Sequence, residues 1–122
     1  MGKPIILIGL WYKVSHEKAV MSFKPLTDQE ILDGVRDLVA RGKIGWTDHV
    51  EDQMTARGYH RGQIKACLAR GGFTERPTIP NRSGPIQYAF RVEASVDGER
   101  IAVAASLIPE KRVVVITVFD AI

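Results

Sequence analysis

The feature that most constrains this chain is a change of hydrophobic period at Gly71-Gly72. Before that pair, apolar residues return every three or four positions, the spacing of amphipathic helices. After it, β-branched and aromatic residues run in short stretches separated by Pro, Asn, Asp and Gly, the spacing of strands and turns. A chain ordered this way places its helices first and its sheet after. The helical half opens on Thr27-Asp28-Gln29-Glu30, a capping box in which Thr27 and Glu30 satisfy each other's backbone donors. Ile31, Val35, Leu38 and Val39 follow at helical spacing, Gly34 weakens the interior without breaking it, and Gly42 stops the helix, predicted over 28 to 41. Thr47 caps a second helix that ends at Arg57-Gly58, with Asp48 in its first turn where negative charge is favoured. A third runs from His60 or Arg61 to Arg70, with Ile64, Cys67 and Leu68 as its apolar stripe, and Gly71-Gly72 ends it.

In the second half, Pro77 marks residues 73 to 79 as an edge or irregular strand, and residues 80 to 85 read as a loop. Residues 86 to 96 and 101 to 107 flank Asp97-Gly98, a two-residue hairpin signal. Pro109-Glu110 opens another turn, and the almost wholly apolar stretch 112 to 119 reads as a central strand. The expected fold is α+β, with N-terminal helices packed on a three- to four-stranded antiparallel sheet, forming a single domain over residues 27–122. Residues 1–26 read as an N-terminal extension. Their apolar run, Ile5 to Trp11, is too short to span a bilayer and is not followed by a signal-peptide cleavage site, so it reads as a peripheral strand or an ordered tail. Met21 offers a second start, and Ile6 stands where myristoylation calls for Ser or Thr.

Charge and cysteine content bear on partners and compartment. The single cysteine, Cys67, sits in a helical apolar pattern as a core thiol, which suits the reducing cytoplasm. A net charge of +3 and a pI of about 9.2 suit an anionic partner, RNA or an acidic antitoxin-like protein, and nothing in the pattern suggests a membrane.

The chemistry-bearing residues concentrate on the second helix. His49, Gln53 and Arg57 recur at i, i+4 and i+8 on one side, while Val50 and Met54 point to the core. An imidazole moves protons near neutral pH, and a guanidinium grips phosphate or stabilises developing charge. The same residues also have ordinary structural uses, His49 packing at a helix start and Arg57 pairing with a carboxylate. Arg61 and Lys65 share a face of the third helix and extend a basic ridge, with Arg70 and Arg76 nearby. In the sheet half, Arg82 sits on a glycine-containing loop; Tyr88 and Phe90 share one strand face, and Gln87, Ala89 and Arg91 the other. Tyr88 is a core tyrosine or a base-stacking ring. Thr117 is grouped by alternation with Val113, Val115 and Phe119, as a buried hydroxyl or a substrate contact. The chain has no glycine-rich phosphate loop, no metal-ligand spacing of Cys or His, and no Gly-x-Ser-x-Gly elbow.

The string His49…Met54…Arg57-Gly58-Tyr59, followed by Ile64, Leu68 and Gly71, resembles the DUF4258 family with its H-x4-M-x2-R-G signature. Tyr88 to Val92, Arg100 to Val103 and Val115 to Phe119 fit its later segments, so the resemblance covers about residues 44 to 120. It implies a fold like the RelE/barnase-like toxins and a role for His49, Arg57, Gly58 and Thr117. Two functions follow as expectations. The first is a toxin-like, metal-independent endoribonuclease needing no cofactor, cleaving RNA by attack of its own 2′-hydroxyl. Its catalytic residues would be His49, Arg57 and Arg91, and Gln53, Arg61, Lys65, Arg82, Tyr88 and Thr117 would bind substrate. The alternative is a non-catalytic module binding nucleic acid or protein through the basic face.

Overall fold

The computed structural model describes residues 24–79 and 86–121. The expected extension, apart from residues 24 to 26, and the loop at 80 to 85 lie outside the described residues. Three helices, α1 (Asp28–Ala40), α2 (Asp48–Arg57) and α3 (Arg61–Arg70), form where capping and apolar spacing predict them. The strands are β1 (Ile44–Trp46), β2 (Gly72–Phe73), β3 (Tyr88–Val96), β4 (Glu99–Ile108) and β5 (Arg112–Asp120). The Thr27 capping box is complete: its hydroxyl accepts from Glu30 N at 3.1 Å, and Glu30 Oε1 accepts from Thr27 N at 2.8 Å. The backbone turns left-handed at Gly42 and Gly58, after α1 and α2, where a residue without Cβ meets no steric penalty.

The sheet corrects the expected fold. It has five strands in the order β1-β5-β4-β3-β2, and it is mixed: β1 runs parallel to β5 while the other neighbours are antiparallel. The expected three- to four-stranded antiparallel sheet lacked β1. Three residues with a glycine at their centre carry no periodic signal, and their partner lies far along the chain, with Ile44 opposite Val113. The expected first strand, 73 to 79, shrinks to Gly72–Phe73 plus an isolated bridge from Thr78 to Ala89. Pro77, with no N–H, falls in the gap.

All three helices bury their apolar faces against the sheet or one another. α1 packs on α3 and β5, α2 lies along β5, and α3 lies over β3 and β4. Alternation along β3 turns Tyr88, Phe90, Val92, Ala94 and Val96 toward the helices, and all five are buried. Opposite them in β4 stand Leu107, Ala105, Val103 and Ile101. Among the described residues no helix covers the other face of the sheet.

A bulge changes the pattern in β5. Ala104 pairs with Thr117, but Ala105 pairs with Val115, so Ile116 is an extra residue without an opposite number. Val113 and Val115 therefore point to the helices before the bulge, and Val118 points there after it; all three are fully buried. This overturns the grouping of Thr117 with Val113 and Val115. Thr117 and Phe119 share the helix-free face, and both are half-buried.

Gly71 serves the fold differently from a left-handed cap. Its φ is −71°, which any residue adopts. A Cβ there would lie 2.6 Å from the Cys67 carbonyl oxygen and 3.0 Å from Glu93 O and from Val92 Cβ, so glycine is needed for the close approach of α3 to β3. At Gly72 a Cβ would meet nothing within 4 Å. Urea denaturation should thus find Gly71→Ala destabilised by about 1–3 kcal/mol through overpacking, and Gly72→Ala changed by no more than about 0.5 kcal/mol.

Candidate nucleic-acid interface

The margin of β5 organises the polar residues. β1 pairs only with Val113, Val114 and Val115, leaving the rest of that edge to α2. The Thr47 hydroxyl accepts from Val50 N, capping α2, and donates to the Val115 carbonyl, each at 3.2 Å. One turn and a half further on, Gln53 Oε1 accepts from Val118 N at 3.1 Å. At the end of α2, Arg57 Nη1 lies 3.4 Å from Asp120 Oδ2, and the Tyr59 hydroxyl donates to Asp120 Oδ1. The helix thus runs beside β5 in the same direction, tied at three levels. His49 lies in the helix between the first two ties and is exposed.

These contacts assign parts to the expected site residues. The Gln53 amide holds the edge of β5. Arg57 is tied to Asp120 but remains partly exposed, with 38% of its side chain accessible. Arg61 pairs with Glu51, and its guanidinium carbon lies 4.9 Å from the centroid of the half-buried Trp46 ring. Lys65 is exposed on α3. Tyr88 faces the core, 3% exposed, and its hydroxyl accepts from Leu26 N at 3.0 Å, anchoring the segment before α1. It is the core tyrosine of the two uses open to it. Arg82 lies outside the described residues.

On the helix-free face, Arg91, Ala104 and Thr117 form one row, and Glu93, Ala102 and Phe119 form the next. Arg91 reaches diagonally across β4: its guanidinium carbon sits 4.2 Å from the centroid of the Phe119 ring. Glu93 lies 3.4 Å from Arg91 Nη2 and 3.7 Å from Arg100 Nη2. Ala102 is fully buried although it points away from the helices, because its larger neighbours close over it. The sequence placed Arg91 on this face but gave no sign that its charge is carried across to β5. Trp46, Phe119 and Asp120 were not singled out; each gains its role from a partner remote in sequence.

No three His, Cys, Asp or Glu side chains cluster to hold a metal ion among the described residues, and no described helix is long and apolar enough to cross a membrane. Cys67 is fully buried, its Sγ 3.5 Å from the Ile101 carbonyl, and burial pushes the thiol up to about 11.

The arrangement defines a class: a mixed sheet covered by helices on one face, with polar and charged residues gathered along one strand margin and on the bare face. Residues 46–120 match the family model described as a domain of unknown function, DUF4258, and the chain belongs to that family. No curated protein and no solved structure matches the chain.

Two outcomes test these placements. Burial, then the hydrogen bond to Asp120 and its negative charge, push the Tyr59 hydroxyl up from 10.0 to about 12. The folded value exceeds the unfolded one, so the associated stability is complete below about pH 10 and is lost as pH rises toward about 12. Denaturation midpoints should fall with pH across that window less steeply in Tyr59→Phe than in the wild type. The comparison also separates Tyr59 from Cys67, whose raised value overlaps the same range. Separately, the Cys67 thiol should resist an aromatic disulfide reagent in the native protein at neutral pH and react within seconds to minutes once the chain is unfolded in denaturant.

Proposed function

We propose that the chain is a toxin-like, metal-independent endoribonuclease whose substrate lies along the β5 margin and onto the helix-free face of the sheet. The observation that carries this reading is the reach of Arg91 across β4 to Phe119. It brings a guanidinium to the strand beside which exposed His49 and half-free Arg57 stand. The sequence resemblance implies a RelE/barnase-like toxin fold, in which ribonucleases recur, and helices on one sheet face with polar residues on the other are compatible with it.

In this reading the RNA 2′-hydroxyl oxygen attacks the adjacent phosphorus, and the 5′-oxygen of the next nucleotide leaves. The products are a 2′,3′-cyclic phosphate and a 5′-hydroxyl. His49 takes the proton from the attacking hydroxyl or supplies one to the leaving oxygen. Arg57 and Arg91 stabilise the charge that develops on the phosphate oxygens. Thr117, on the helix-free face in Arg91's row, offers a hydroxyl to the sugar or phosphate. Gln53 and Asp120 act behind this set, the first holding β5 and the second orienting Arg57. Arg61 and Lys65 extend the positive surface along α3, where contacts to phosphate give salt-dependent affinity. Such an enzyme would work in the cytoplasm, restrained by an acidic antitoxin protein.

A second reading rests on its own observation. Arg57 and Arg61 are already engaged by Asp120 and Glu51, and the Gln53 amide by Val118. Groups so committed suit a non-catalytic module that grips RNA as well as they suit an enzyme. One experiment separates the two. Mixed-sequence single-stranded RNA is incubated with purified protein in EDTA, alongside His49→Ala. The endoribonuclease cleaves the RNA to cyclic-phosphate ends, leaves DNA intact for want of a 2′-hydroxyl, and loses about 10²–10⁴-fold in rate with His49→Ala. A shift in gel mobility with intact RNA for both proteins would assign the binding module instead.

A further inference from the structure

We infer that Arg91 and Phe119 together form a stacking platform for one unpaired base, so that the surface takes single-stranded rather than duplex RNA. The inference rests on the RNA reading above but is carried by the local geometry of the bare sheet face. The guanidinium carbon lies 4.2 Å from the Phe119 centroid, within stacking range. Side-chain exposure of 37% leaves the Arg91 side chain open to solvent beyond that contact. The guanidinium is also held in place: Glu93 lies 3.4 Å from its Nη2, and Glu93 is in turn 3.7 Å from Arg100. Little ordering is then left for a ligand to impose.

The floor explains why the pair can form. Residues on β3 and β5 are separated by the whole width of β4, roughly 9–10 Å at ordinary strand spacing. Arg91 spans it because the β4 positions beneath are Ala102 and Ala104. A larger side chain at either would lift the guanidinium away from the ring. Charge favours the same occupant, since Arg91 and Arg100 on this face outnumber Glu93. A guanidinium stacked on an aromatic ring offers its plane to a base and its N–H edge to phosphate, two uses that do not compete. Every base has a π face, so recognition of this kind tolerates sequence but demands an unstacked base. A duplex holds its bases within its own stack and offers none.

The test uses a short RNA strand carrying 2-aminopurine and 2′-O-methyl groups, which cannot undergo 2′-hydroxyl attack, titrated with the full chain. Fluorescence anisotropy reads affinity, and 2-aminopurine intensity reads stacking. The platform predicts binding of the single strand with fluorescence quenched at least about twofold, and at least tenfold weaker binding of the same strand in a duplex. Phe119→Leu keeps the apolar cover and Arg91→Lys keeps the charge. Each should abolish the quenching and weaken single-strand binding on the order of tenfold, with thermal unfolding measured to confirm that the variants fold. Quenching that persists in both variants, or equal affinity for duplex, overturns the platform while leaving RNA binding in place. Absence of binding to either form overturns the platform and the RNA reading with it.

Discussion

The extra residue in β5 is the constraint on which the polar architecture depends. Strand alternation is strict, so one inserted position exchanges the two faces for everything beyond it. With Ile116 accommodated as a bulge, Val118 enters the core while Thr117 and Phe119 emerge on the bare face. Without it, Val118 would be placed on the bare face and the Phe119 ring turned toward the helices, out of reach of Arg91. Asp120 would likewise leave the side on which Tyr59 and Arg57 meet it. The bulge falls where β1 ends and α2 takes over the edge, and Gln53 supplies the acceptor that the Val118 N–H lacks from any neighbouring strand. A buried, unpaired N–H at that point would cost about 1–3 kcal/mol. The glutamine therefore contributes to placing every side chain beyond it.

Much of this was legible in the sequence, because the helices are set by local chemistry. The Thr27-to-Glu30 box, the Thr47 cap and the glycines at 42 and 58 each act within a few residues, and the structure puts α1, α2 and α3 where those signals fall. The long strands around Asp97-Gly98 were legible for the same reason. What escaped was set at long range. β1 exists because Val113 to Val115 lie beside it, and nothing between Gly42 and Thr47 announces a strand. A bulge leaves no mark in a stretch where every residue is apolar or β-branched, so strict alternation misassigned Thr117. Gly71 ends α3 as expected, but the demand for glycine there is set by the approach of Cys67 and Glu93 backbone atoms, which the sequence does not show.

The candidate site was readable as a set of residues and not as an arrangement. Helical spacing gathered His49, Gln53 and Arg57, and strand spacing put Arg91 on the opposite face from Tyr88. That Gln53 would be occupied by a backbone amide, or that Arg91 would cross a strand to reach Phe119, depends on partners 65 and 28 positions away in the chain. Family membership narrows the fold's relations without assigning chemistry, so the roles argued for these residues rest on the side chains themselves.

The place of β5 in the sheet also bears on when the protein can exist at all. This strand is made after all three helices and the four other strands, yet it sits between β1 and β4 and supplies the margin along which α2 is fastened. A nascent chain released only as far as β4 holds β1 with no neighbour and α2 with nothing to tie to. Neither Asp120 nor Phe119 has then been made, so Arg57 lacks its carboxylate partner and Arg91 the ring it packs on. The Arg57–Asp120 and Arg91–Phe119 contacts consequently form only after synthesis has passed β5.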